Sequence, residues 1–316
     1  MPLPAATGTQ YVLTAPTTQG PATATITEVA AGLREYALNG IDLVEGFAAS
    51  SVPPLGAGIV LAPWPNRIRD GVWTHDGTRH QLAITEPAQG NAIHGLLAVT
   101  AYRLVTQTAN EVTLAATVYP QTGYPYQLDT TVTYTLTADG LAVTHGIRNV
   151  GGAAAPVALG THPYLKIGDV PTGDLLLRLN AGTHIDVDSR LNPVGVTPVD
   201  GTRFDLRAGA RVGDLDLDDG FGGVVVTGGV GEHSLTAPDG RRVTLWGDEN
   251  MAYVQVFTPR IFPVRSAGEV KRGQAVAIEP MTAPADAFNS GQGLRWLAPG
   301  EEWVVRWGIT PTGFAA

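Results

Sequence analysis

The sequence predicts an all-β fold, a sandwich or barrel of many short antiparallel strands. Three observations carry that reading. Helix-forming windows are scarce in a chain of 316 residues that holds 39 glycines and 23 prolines. Apolar and polar residues alternate repeatedly with the period of two that a half-buried strand requires. Turn dipeptides stand between the alternating runs instead of the helical stretches that a βα fold would need.

The runs, in order, cover residues 10–14, 23–29, 32–38, 102–107, 111–119, 127–137 and 141–149. Asn39-Gly40, Asp76-Gly77, Asp139-Gly140 and Asp239-Gly240 are the turn signals. Asp139-Gly140 and Asp239-Gly240 each read as a two-residue hairpin loop, because both central positions of such a loop favour Asp, Asn or Gly. Asp76-Gly77 reads as a hairpin turn following Trp73. No Pro/Ser linker, composition break or repeat cuts the chain, so residues 1–316 are expected to form a single domain.

Bulk composition narrows the function. Apolar residues make up 44% of the chain, enough for a globular core. No run of 18 apolar residues appears, which argues against a membrane span. The start, Met1-Pro2-Leu3-Pro4, lacks the basic and apolar regions of a secretory signal. The absence of cysteine excludes disulfides and thiolate metal sites and fits a cytoplasmic location. Net charge is -9, Lys166 and Lys271 are the only lysines, and the arginines are scattered, so a nucleic-acid partner is not expected.

Four stretches put polar or ionisable side chains among apolar or turn residues. In Ala277-Ile278-Glu279-Pro280, a short apolar run ends at a carboxylate and a proline follows, which would hold Glu279 at a strand rim. In Pro65-Asn66-Arg67-Ile68, two nearby prolines stiffen the backbone beside Arg67. That arginine is either a surface group paired with an acid or a guanidinium held to donate to ligand oxygens. His94 lies in Ile93-His94-Gly95-Leu96, where an imidazole is most often a satisfied core group. His162 lies between Gly160-Thr161 and Pro163-Tyr164, at a point where the chain leaves a strand.

Asp214-Leu215-Asp216-Leu217-Asp218-Asp219-Gly220-Phe221 reads as an acid-rich loop. Its alternating aspartates suggest calcium, but Gly220 falls one place late and no distal Glu follows. Gln255, in Val254-Gln255-Val256-Phe257, is a polar residue in an apolar strand. It is either a satisfied core amide or a ligand hydrogen-bonder. No phosphate loop, dinucleotide fingerprint, zinc-protease motif or nucleophile elbow is present.

Taken in order, Pro65-Asn66-Arg67-Ile68, His94-Gly95, His162-Pro163-Tyr164, Asp218-Asp219-Gly220-Phe221, Val254-Gln255-Val256-Phe257 and Ala277-Ile278-Glu279-Pro280 resemble the aldose 1-epimerase (galactose mutarotase) family. The resemblance runs from about residue 10 to 312. It implies a large antiparallel β-sandwich. Family members often carry His-Tyr-Phe-Asn where this chain has His162-Pro163-Tyr164-Leu165, and Asp-His where it has Asp218-Asp219. Galactose-type members usually have a Gln near Met281-Thr282. These departures mark a divergent branch.

The resemblance implies interconversion of the α and β anomers of a hexose by ring opening and closure. Glu279 would be the base at the C1 hydroxyl, starting ionised, and His162 the acid at the ring oxygen, starting cationic. Arg67, His94, Asp218 and Gln255 would bind the sugar, and Trp64 or Tyr164 would stack on it. The reaction calls for no cofactor and no metal. The partner is a monosaccharide, and the protein is expected as a monomer or homodimer. Three other readings stay open: a glycoside hydrolase using Asp218 and Glu279, a non-catalytic carbohydrate-binding or sensor protein, and a mutarotase of a phosphorylated or sulfonated hexose. The last needs a further cation from Arg69, Arg260, Arg265, Lys166 or Lys271.

Overall fold

The computed structural model describes residues 5–266 and 269–315. Among these residues the chain is almost all strand, with one four-residue α-helix at Ala287–Ser290. A four-stranded sheet opens the fold at Gln10–Thr17, Gly20–Thr27, Leu33–Leu38 and Ile41–Asp42. A ten-stranded and an eight-stranded sheet follow, both with antiparallel neighbours. The protein is a large antiparallel β-sandwich.

One core joins the sheets. It holds Leu13, Ile26 and Tyr36 from the first, Val143, Leu245 and Trp307 from the second, and Phe221, Val254 and Ile278 from the third. Alternation explains the strands Leu128–Thr137 and Gly140–Asn149: every second residue of the first is buried. Burial of such faces is the main favourable term, at roughly 25 cal/mol per Å² of apolar surface.

The seven alternating runs all fold as strands, with ends displaced by up to three residues. Asn39-Gly40 and Asp76-Gly77 are two-residue turns with positive φ at both positions. The hairpin at Asp139 is shifted by one residue, because Gly140 already pairs with Thr137. The turn at Asp239-Gly240 is longer than expected. Thr236 pairs with Arg242, and the five residues between them close through Ala237 N–H to the Arg241 carbonyl.

Two expectations fail in ways that matter for function. The acid-rich stretch is not a loop at its end, because Asp218–Val224 is a strand between Ala181–Val187 and Tyr253–Phe257. Its aspartates and glycines have low strand propensity, and the two flanking partners override it. Glu279 is not at a rim. It lies inside the strand Val276–Met281 with 2% of its surface exposed. The strand continues through Pro280, which faces a stretch where its neighbour leaves the ladder between Gly160 and Tyr164. A missing N–H there costs no ladder bond.

Candidate active site

The eight-stranded sheet sets the site by register. Gln255 pairs with Glu279 across Tyr253–Phe257 and Val276–Met281. On the other side of Glu279, Gly160 pairs with Met281 and Tyr164 with Ala277. His162, midway between Gly160 and Tyr164, therefore stands opposite Glu279, midway between Met281 and Ala277. Its Nε2 lies 3.3 Å from Glu279 Oε1. Gly220 pairs with Gln255, so Asp218 projects from the same face two residues along. Gln255 Nε2 donates to Asp218 Oδ1 at 2.7 Å.

The loops supply the rest. Arg67 and Ile93 pair in a two-residue ladder. Next to it the chain turns sharply at His94 and Gly95, with φ of 64° and 77°. Only glycine fits the second position, since a Cβ on Gly95 would lie 2.1 Å from the Ala62 carbonyl oxygen. The turn brings the His94 ring to 5.4 Å from His162, edge to face. Arg67 is buried and donates through Nε and one terminal nitrogen to the two oxygens of Glu86, at 2.8 and 2.9 Å. The same terminal nitrogen lies 3.3 Å from Asp218 Oδ2.

Arg67, His94, His162, Asp218, Gln255 and Glu279 thus all line one cleft of about 310 Å³. Arg67 is paired with acids but is not a surface group: it is buried and lines the cleft. Glu86 was missed. It lies in a polar loop with no pattern, and its significance rests on a partner 19 residues away.

Burial decides the protonation of the sugar-free site. The Glu279 carboxyl is pushed well above its ordinary value by desolvation and by the Asp218 charge, with Arg67 opposing. His162 is pushed down to about 4, by burial first, with the Arg67 charge adding to it against a backbone hydrogen bond of its own. His94 is pushed well down by burial and by the neighbouring His162 and Arg67. The expectation of an ionised Glu279 beside a cationic His162 is therefore corrected: without sugar, burial opposes both charges. Glu279 Oε2, His162 Nδ1 and His94 Nδ1 are buried without hydrogen-bond partners. Arg67 is the exception, because its hydrogen bonds to Glu86 and the Asp218 charge outweigh its desolvation and keep it charged.

Neither proposed stacking aromatic faces the cleft. Trp64 is buried against Phe288 and Tyr124. Tyr164 stacks behind His162 and donates its hydroxyl to the Leu55 carbonyl. The cations proposed for an acidic sugar lie elsewhere. Arg69 holds Asp188 and the Pro193 carbonyl, Arg260 holds the Gly213 and Leu215 carbonyls, and Lys166 holds Glu45. Arg265 lines a separate hollow with Lys166, and Lys271 pairs across its hairpin with Val264. Among the described residues no three His, Asp or Glu side chains are placed to hold a metal ion, and no helix is long and apolar enough to cross a membrane.

Comparison with known proteins agrees with this architecture. Residues 16–310 match the aldose 1-epimerase family. An uncharacterised protein of Escherichia coli K12, YihR, is 35% identical over 88% of this chain and 86% of its own. Human galactose mutarotase is 34% identical over 54% of this chain and 52% of its own. Among solved structures, an aldose epimerase homologue from C. elegans superposes with a TM-score of 0.82 at 20% identity, covering 96% of this chain and 99% of its own. A putative aldose 1-epimerase from E. coli gives 0.79 at 18% identity, over 96% and 98%. The chain belongs to the aldose 1-epimerase family.

Proposed function

We propose that the protein is a mutarotase that interconverts the α and β anomers of a neutral hexose. The observation that carries this reading is the row of His162, Glu279 and Gln255 across three adjacent segments of the chain, with Arg67 and His94 in the same cleft. Ring opening removes a proton from the C1 hydroxyl and delivers one to the ring oxygen. Closure on the other face reverses both transfers. Glu279 takes the C1 proton and His162 serves the ring oxygen.

The neutral resting pair does not oppose this. Neutral acid with neutral imidazole, and carboxylate with imidazolium, hold the same single proton. A bound sugar gives the carboxylate a hydroxyl donor and the imidazolium a ring-oxygen acceptor. Those hydrogen bonds favour the charged arrangement that burial alone disfavours. Arg67, His94, Asp218 and Gln255 hold the hydroxyls and the charge that develops on opening. Asp218 already accepts from Gln255 and Arg67, which suits a binding role better than the attack a hydrolase would require of it.

The charge of the cleft supports a neutral sugar. Arg67 is the one permanent cation among its described lining residues, and Glu86 and Asp218 already meet that charge. The test is anomer exchange by NMR, from pure α-glucose and α-galactose, with Glu279→Gln as the blank. Faster equilibration by the wild type alone is expected. No acceleration with neutral sugars, but turnover of a 6-phosphorylated or 6-sulfonated hexose, overturns the neutral assignment. Binding without any exchange makes the protein a sugar-binding member of the family.

A further inference from the structure

We infer that His184 is a positioning residue for the sugar site: it clamps Asp219, and through the Asp218 main chain sets the carboxylate that Gln255 and Arg67 hold in the cleft. This inference rests on the sugar-site reading above.

The ladder between Ala181–Val187 and Asp218–Val224 ends at Ile185 paired with Gly220. Beyond that pair, the backbone N–H of Asp218 has no ladder partner on this side. A buried N–H needs one. Asp219 supplies it, accepting the Asp218 N–H on Oδ2 at 3.2 Å. The other oxygen of Asp219, Oδ1, lies 2.7 Å from His184 Nε2. His184 Nδ1 lies 2.9 Å from Asp186 Oδ1. Both ring nitrogens thus face carboxylate oxygens, which fixes the orientation of the ring between Asp186 and Asp219.

The ring itself is fixed. It stacks on Phe204 at 3.6 Å and 12°, meets Phe221 edge-on, and is 5% exposed. Arg203 lies over the same Phe204 ring, and Thr197 holds the second oxygen of Asp186. The relay runs from a rigid ring, through one carboxylate, to the backbone of Asp218. The Asp218 side chain then bridges Gln255 and Arg67. Among the described residues, His184, Asp186 and Asp219 share no side-chain hydrogen bond with Glu279 or His162, so the relay acts on sugar binding through the placement of Asp218.

The experiment compares the wild type with His184→Leu, His184→Gln, Asp218→Ala and the double variant His184→Leu/Asp218→Ala, measuring KM and kcat for anomer exchange and the Kd for the same sugar by NMR titration. His184→Leu should raise KM and Kd roughly tenfold, as loss of a charge-assisted hydrogen bond does, with kcat within about twofold. His184→Gln, which keeps one donor for Asp219, should recover part of the loss. In the Asp218→Ala background, His184→Leu should add less than about twofold, because its target is gone. If His184→Leu folds poorly, Asp219→Ala breaks the same relay from its other end and should show the same KM effect. An unchanged KM, a loss confined to kcat, or additive effects in the double variant overturn the inference. A wild type that exchanges anomers while its variants match it overturns the His184 role alone. A wild type that binds without exchange leaves the Kd comparison to decide. A wild type that neither exchanges nor binds sugar overturns the site reading and the inference together.

Discussion

His162 Nε2 and Glu279 Oε1 face each other at 3.3 Å, and both side chains are almost fully removed from solvent. Glu279 is held in the strand Val276–Met281, and His162 is held between the paired residues Gly160 and Tyr164 by backbone bonds to Ile59 and Gly58. Glu279→Gln keeps the shape of the buried group and removes its ability to take a proton. Anomer exchange should fall by about 10²- to 10⁴-fold, while circular dichroism and thermal unfolding remain those of a folded protein. A variant that equilibrates α-glucose at the wild-type rate removes Glu279 from the mechanism.

The same carboxyl makes stability depend on pH in a definite direction. Its folded-state pKa is raised by burial. Below the unfolded value of about 4.5 both states are protonated, and the native state bears no penalty. As pH rises from there through the folded-state pKa, the unfolded chain ionises freely and the native chain does not, so stability is lost. Glu279→Gln lacks that loss. The Tm difference, variant minus wild type, should therefore grow from pH 5 to pH 9, and a difference independent of pH contradicts the assigned burial cost.

Buried histidines govern the acid side. His145 and His233 are both pushed down to about 4 by burial. Each ring also accepts a hydrogen bond, His145 from the Trp307 indole and His233 from the Asn180 backbone, which requires an unprotonated nitrogen. Their contribution is fully present above about 6.5 and is lost as pH falls toward 4, because the unfolded chain binds protons first. The loss is about 1.4 kcal/mol per pH unit for each fully buried ring. His145→Gln, which keeps an acceptor for Trp307, should flatten the fall of Tm between pH 6.5 and 4.5. An unchanged slope places the acid lability elsewhere.

Much of this was legible in the chain. Alternation found the long strands because one face of each packs on the core, a property written locally in residues such as those of 128–137 and 141–149. The six candidate residues stand out in the sequence as polar groups in apolar or turn settings, and the structure gathers them into one cleft. Their protonation was not legible, because it depends on desolvation by the whole fold. Glu86, Asp219 and His184 were not legible as partners either. His184 looks like any polar residue in a strand until the sheet brings it to 2.7 Å from a carboxylate 35 positions away in sequence. The end of the acid-rich stretch, from Asp218 to Phe221, has the composition of a loop, and its strand character comes from its neighbours.

Arg67 is the next test of geometry against charge. Its guanidinium meets both oxygens of Glu86 and one of Asp218. Lysine keeps the charge but cannot span those three acceptors from a planar fork. Arg67→Lys should raise KM by about tenfold or more and lower Tm, since Glu86 and Asp218 lose part of their compensation. Recovery of wild-type KM by lysine reduces the role of Arg67 to charge alone.

Gly58 ties the first sheet to the site. Its N–H donates to the His162 carbonyl at 2.8 Å, and its own carbonyl accepts from Leu33 N–H at 3.0 Å. Its φ is 74°, and a Cβ there would lie 2.1 Å from the Leu33 carbonyl oxygen. Alanine therefore meets two obstacles, an unfavourable backbone region and a carbonyl with no room to retreat. Relief requires Gly58 to move away from Leu33, and the bond to His162 carries that shift into the site. Gly58→Ala should lower stability by about 1–3 kcal/mol and, in the fraction that remains folded at low temperature, reduce kcat more than it raises KM, because the displaced group is the one proposed to donate the proton and not one proposed to bind the sugar. Loss of stability with an unchanged kcat would separate the two effects and show that the His162 ring holds its place by packing on Tyr164 and His94 without the backbone bond.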